Sequence, residues 1–201
     1  MGECMIQKYE MTTLQVVSVL GIPKVDKREW FVAIVNNQSE KKCAKALLDE
    51  QYETFVPTQS ERHTWSNGTV KVVDRVLIAT VIFIHCTESE RREIVKRPFI
   101  KRFMVDKTRI DKHGKHPIVK IPGYQIDNFR NLLEKANELV AVDPFLFAIG
   151  DRVKVVSGEL AGIEGRILRK KFGETFLIVE IGLLGCAKLS ISLDKVQKID
   201  S

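Results

Sequence analysis

The side chains best equipped for chemistry in this chain are His63, His85, His113 and His116, and Cys4, Cys43, Cys86 and Cys186. Only His113 and His116 are close in sequence. Their HxxH spacing, on one face of a helix, would offer two ring nitrogens to a zinc ion. They lie instead in "DKTRIDKHGKHP", a basic loop containing glycine and proline, where no such face exists. His63 and His85 have no partner nearby in sequence and read as ordinary solvated or core histidines. The cysteines are far apart and show no CxxC spacing, so they read as buried or free thiols in a reducing compartment. No glycine-rich loop runs into a helix carrying Lys-Ser/Thr, the arrangement that cradles phosphates; Gly158, Gly162 and Gly165 lead into a strand. No convergent nucleophile, base or metal set can be assembled, so no catalysis, metal or cofactor is expected.

The 201 residues must place whatever function remains on one large domain or two small ones. A hydrophobic share of 44% and a charged share of 29% describe a protein with a real core. The net charge of +6 mildly favours an acidic partner such as nucleic acid, although a solvated basic surface needs none. "MTTLQVVSVLGIP" lacks the basic leading region and cleavage site of a signal peptide, and no apolar run approaches a membrane span. A cytoplasmic monomer without membrane contact is expected.

Residues 1–28 show no sustained period and read as an extension. "EWFVAIV" is a compact strand, and Ser39 is placed to cap a helix over "EKKCAKALLDEQ" with Cys43, Ala46 and Leu47 on one face. "TFVP" reads as a short strand, and Asn67-Gly68 signals a hairpin inside "HTWSNGTVKVVDR". "RVLIATVIFIH", Arg75 to His85, is nearly all apolar and reads as one central strand. A helix follows with Thr87 or Ser89 as its cap and Pro98 forcing its end, then the strand "FIKRFMV". "GYQIDNFRNLLEKANEL" is an amphipathic helix that buries Ile126, Phe129, Leu132 and Leu133. This order describes an α+β sandwich with an antiparallel sheet, followed by a linker over 141–148 broken by Asp143-Pro144. Residues 149–201 contain five short strands in about fifty residues, the pattern of a small β-barrel.

Two stretches together resemble a known family. "GDRVKVVSGELAGIEGRIL" has the form of a KOW motif, in which glycines shape a hairpin of a small SH3-like barrel. "EWFVAIVNNQSEKKCAKALLDE", "FVPT" before a hairpin, and "RPFIKRFM" before a last helix resemble the NGN domain of the NusG family of transcription elongation factors. The resemblance covers residues 29–199 and implies an NGN domain over 29–140 and a KOW domain over 149–201. The family's aromatic-aromatic-Pro-Gly-Tyr signature is absent; "VLIAT", Val76 to Thr80, stands at that place. With the leading extension, this resembles a specialised UpxY-like antiterminator paralogue, of the kind associated with surface-polysaccharide operons.

The resemblance implies a surface that grips the clamp helices of RNA polymerase: Trp30 and Ile34 on the first strand, Thr80 and Ile82 on the central strand, and Phe103. It implies that Arg91, Arg92, Lys96, Arg97, Lys101 and Arg102 approach non-template or upstream DNA or nascent RNA. Interleaved Glu88, Glu90 and Glu93 make a solvated helix face the competing reading. The barrel's partner would be Rho or a ribosomal protein, met by Leu160 and Ala161 at the hairpin tip and by Leu183 and Leu184. The alternative function is a ribosome-associated or RNA-binding KOW protein. Nine Lys/Arg against seven Asp/Glu in the C-terminal part are too balanced for burial in ribosomal RNA.

Overall fold

The computed structural model describes residues 26–66, 68–143, 150–169 and 174–199. Most of the leading extension and most of the expected linker therefore lie outside the described residues.

Alternation of apolar side chains builds the first sheet. In β1 (Glu29–Ile34) and β5 (Val81–Cys86), both faces of the strand are apolar. Side chains alternate across a strand, so both faces need cover. The two strands pair antiparallel from Glu29↔Cys86 to Ile34↔Val81. On their outer flanks, β2 (Glu53–Phe55) pairs with β5, while β6 (Arg102–Phe103) and β7 (Lys120–Ile121) both pair with β1. Phe31, Ala33, Ile82 and Ile84 face one layer, formed by α1 (Glu40–Asp49) through Cys43 and Leu47 and by α2 (Glu88–Ile94) through Ile94. Trp30, Val32, Val81 and Phe83 face α3 (Gly123–Lys135), which buries the expected Ile126, Phe129, Leu132 and Leu133. Each large side chain so buried contributes about 1.5–3 kcal/mol.

The helix ends are set locally. Thr87 caps α2 in a reciprocal box: its hydroxyl accepts from the Glu90 amide at 3.2 Å, and the Glu90 carboxylate accepts from the Thr87 amide at 2.8 Å. Asp26 continues this end by accepting from the Ser89 amide and hydroxyl. Ser39 stands at the expected start of α1, but its side chain makes no capping bond.

The expected single strand Arg75–His85 is two strands. β3 (Thr58–Thr64) and β4 (Val70–Val76) form a separate two-stranded hairpin, and β5 begins only at Val81. The break is at Thr80, whose φ of 65° lies in the left-handed region and cannot continue a strand. Glu40, itself buried, accepts the Thr80 amide at 2.6 Å and holds this turn.

The five expected C-terminal strands all form: β9 (Arg152–Val155), β10 (Glu164–Arg169), β11 (Thr175–Glu180), β12 (Cys186–Ser190) and β13 (Val196–Lys198). Residues 141–143, expected as linker, form β8 (Ala141–Asp143) and pair with β12. The resulting antiparallel sheet runs in the order β13-β9-β10-β11-β12-β8. Gly165 answers to a steric demand here, since a Cβ on it would lie 2.5 Å from the Ile178 carbonyl oxygen of the neighbouring strand.

Candidate functional site

The five residues expected to form one apolar surface are divided between two layers. Trp30 is 5% exposed, stacked on His85 at 4.9 Å with Arg130 over its ring. Ile34 lies on the same face and is half-buried. Ile82 pairs with Ala33, and directly opposed residues of an antiparallel pair share a face. Ile82 therefore points with Ala33 into the α1–α2 layer, fully buried, and Phe103 joins it there at 4% exposure. The expectation that these two complete an exposed patch is corrected: they are core. Thr80 is not on the strand at all. The left-handed conformation is the one glycine adopts most readily, and Thr80 holds it here without being glycine. Because β5 begins only after Thr80, its faces are set from Val81 onward, and a count carried through Thr80 as one strand misplaces them.

A different apolar set results. Ile34, Leu77, Ile78 and Met104 are half-buried and pack on the α3-side core, with Thr80 in the turn that follows Ile78. The Leu77 amide bonds the Pro57 carbonyl at 2.8 Å and the Met104 amide bonds the Val32 carbonyl at 2.8 Å, fixing both segments to the sheet. Leu77 and Ile78 were hidden in the sequence by the apparent continuity of the strand. Met104 follows the larger apolar Phe103 in sequence and gives no separate signal there.

The basic series is largely neutralised within the protein. Arg91 makes a two-pronged contact with Glu88, with nitrogen–oxygen distances of 2.8 and 2.6 Å. Arg92 meets Glu88 at 3.2 Å, Lys96 meets Glu93 at 2.7 Å, and Arg97 reaches Glu50 at 2.6 Å. Arg91 also covers the Phe103 ring at 5.3 Å, so it belongs to the packing of α2. Its guanidinium holds the Glu88 carboxyl below the ordinary carboxylate range, first by hydrogen bonding. Lys101 and Arg102 are exposed on the edge strand.

The expected barrel tip faces α3. Leu160 and Leu184 pack on the shared core, while Leu183 is 51% exposed. The Ala161 carbonyl accepts from Lys135 at 3.0 Å, and Asn137 donates to Glu159. Gln125 of α3 donates to Glu180 of β11 at 3.3 Å. A Cβ on Gly182, whose φ is +55°, would collide with the Ile121 side chain, so the two sheets approach closely there.

Among the described residues, histidine and cysteine do not converge. His85 shares a hydrogen with Glu53 at 2.9 Å, His63 stacks edge-on with Trp65, and His116 bonds the Arg109 carbonyl at 2.7 Å. Cys43, Cys86 and Cys186 are buried free thiols; burial pushes the Cys86 thiol up to about 12 and Cys186 to about 11. Among the described residues, no three His, Cys, Asp or Glu side chains are grouped to hold a metal ion. An open groove of about 1210 Å³ lies between β3 and the end of α3, with Phe55, Arg130 and Leu139 on its walls. No described helix is long and apolar enough to cross a membrane.

The family model for transcription termination factor nusG matches residues 28–130 of the chain, more than half of its length. Curated proteins give no match. Among solved structures, NusG of Thermotoga maritima, in a structure describing its domain interaction, is 15% identical, with a TM-score of 0.46 over 87% of this chain and 98% of that one. The MjSpt4:Spt5 complex in conformation A is 13% identical, with a TM-score of 0.27 over 85% of this chain and 97% of that one. Conformation B is also 13% identical, at 0.28 over 86% and 97%.

Proposed function

The chain belongs to the NusG family of transcription factors, and on that premise we propose that it binds RNA polymerase and promotes processive elongation as a non-enzymatic cytoplasmic factor. The observation that carries this reading is the family match over 28–130. Those residues contain the whole first sheet, α1, α2 and the first part of α3 up to Arg130. The mechanism is differential binding: a factor that holds the polymerase clamp more tightly in the closed, elongating state shifts the enzyme away from the paused one. The departures from the family signature at Val76–Thr80 and the extension over residues 1–28 support a specialised antiterminator of a surface-polysaccharide operon.

The clamp-helix contact is assigned to the half-buried rim of Ile34, Leu77, Ile78, Thr80 and Met104. Such a set offers accessible apolar area next to a fixed core, which is what a helix docking on a protein surface requires. Trp30 acts beneath it by fixing β1. Leu183, with the partly covered Leu160, Ala161 and Leu184, is assigned to a second protein partner, Rho or a ribosomal protein, after the C-terminal KOW-like sheet leaves α3. Lys101 and Arg102 remain available to DNA or nascent RNA.

The experiment is co-sedimentation of the full chain with core RNA polymerase. Ile34→Asp combined with Ile78→Asp should lose at least tenfold in affinity, with unchanged circular dichroism. Undiminished binding by that folded variant would remove the rim from the interface. Failure of the unaltered chain to bind core polymerase would remove the proposal.

A further inference from the structure

The basic segment between β6 and β7 is a largely uncompensated positive surface. Residues 106–117 contain Lys107, Arg109, Lys112 and Lys115 against Asp106 and Asp111, together with His113 and His116. All four cations are exposed, and none stands in an ion pair, unlike Arg91 and Arg92 on α2 and Lys96 and Arg97 just after it. The segment is ordered by its own bonds. Its ends are closed where the Asp106 amide donates to the Pro117 carbonyl at 2.8 Å. Asp106 accepts from the Thr108 amide and hydroxyl, and these bonds hold its carboxyl below the ordinary range, with Arg109 nearby adding to the effect. Asp111 accepts from the His113 and Lys115 amides, each at 2.8 Å. Both carboxylates thus face the loop's own backbone, while the four cations point outward.

We propose that this loop is a contact for the phosphodiester backbone of nucleic acid, separate from the α2 series. Four exposed cations on a short, pre-ordered loop lose little conformational freedom when they meet closely spaced phosphates. The loop carries no Phe, Tyr or Trp, so phosphates rather than stacked bases are its main contact. Preference for nucleic acid over an anionic membrane rests on the transcription-factor reading. The test uses no polymerase, so the two fail separately.

The test compares the full chain with Lys107→Gln, Lys112→Gln, Lys115→Gln combined, on a 20-nucleotide single strand, a 20-base-pair DNA duplex and a single-stranded RNA across a salt series. These substitutions leave both aspartates and all loop backbone bonds in place. Each lost phosphate contact lowers the salt slope by about 0.7 on a single strand or 0.9 on a duplex. The triple variant should therefore lose roughly 2 to 3 from the slope on the strand it prefers. Arg92→Gln with Lys96→Gln should change the slope much less. If the triple variant folds poorly, Lys112→Gln alone should still lose roughly one contact's share. An unchanged slope and affinity on all three nucleic acids overturns the proposal. So does a variant that loses only its binding to phosphatidylserine vesicles.

Discussion

Thr80 is a β-branched residue held at φ 65°, a conformation that costs an L-residue roughly 1–2 kcal/mol. It is kept there by two bonds, one from its amide to the buried Glu40 carboxylate and one from the Val35 amide to its carbonyl at 2.9 Å. Thr80→Gly should raise stability by up to about 1 kcal/mol, after the greater chain entropy of glycine is subtracted. Glu40→Ala leaves that amide without its acceptor and should cost about 1–3 kcal/mol. Both are read from urea midpoints, and a Thr80→Gly variant less stable than the parent would contradict the strain. Two substitutions separate core from rim at the same scale. Ile82→Asp puts a carboxylate where exposure is 0% and should cost at least about 4 kcal/mol, enough to unfold the chain. Ile34→Asp, on the rim, should leave it folded. A folded Ile82→Asp protein would place Ile82 at the surface after all.

At the scale of the element, α2 shows why a basic helix is not necessarily a binding helix. Its cations lie three and four residues from glutamates, the spacing at which helix side chains meet, or reach Glu50 on α1's end. The pairs differ in energy. Arg91 is largely covered and bonds Glu88 twice, so Arg91→Ala should cost about 1–2 kcal/mol. Lys96→Ala, in an exposed pair, should stay within about 0.5 kcal/mol. Because the folded-state pKa of Glu88 is depressed, its contribution is present above its ordinary value of 4.5 and is lost as pH falls below it. The gap between the parent and Arg91→Ala should therefore be widest near neutrality and narrow below about pH 4.5. Thermal melts at pH 7 and pH 3.5 measure it, and an equal gap at both would mean that packing alone carries Arg91.

Over the whole molecule, the apolar core does not stop at the end of α3. It continues from Phe129 and Leu132 into Leu177, Val179 and Ile181 of the second sheet, and Gln59 of the hairpin bonds the Val140 amide at 2.8 Å. The tip assigned to a protein partner is therefore partly engaged by α3 in this arrangement. Leu160→Asp should weaken that seat, since a carboxylate would replace an apolar contact next to Glu159 and the Ala161 carbonyl. Hydrogen exchange in α3 should then quicken, while β9 to β12 keep their protection. Unchanged exchange in α3 would mean that Leu160 does not hold the two sheets together.

Periodicity was enough to determine much of this protein. Alternation located β1 and the five C-terminal strands, the 3.6-residue period located the buried stripe of α3, and residue order carried the NusG resemblance. Those features are local, written in consecutive side chains. The tertiary structure alone decided which faces of β1 and β5 lie under α1, α2 and α3, and which cations are free. A left-handed residue inside an apolar run leaves no mark on hydropathy, yet Thr80 ends the apparent strand before β5 begins. Whether a lysine is paired likewise depends on a carboxylate's position in space. That is why the sequence leaves this series open between a nucleic-acid contact and a solvated helix face, whereas the structure pairs most of it and leaves open charge on the loop between β6 and β7.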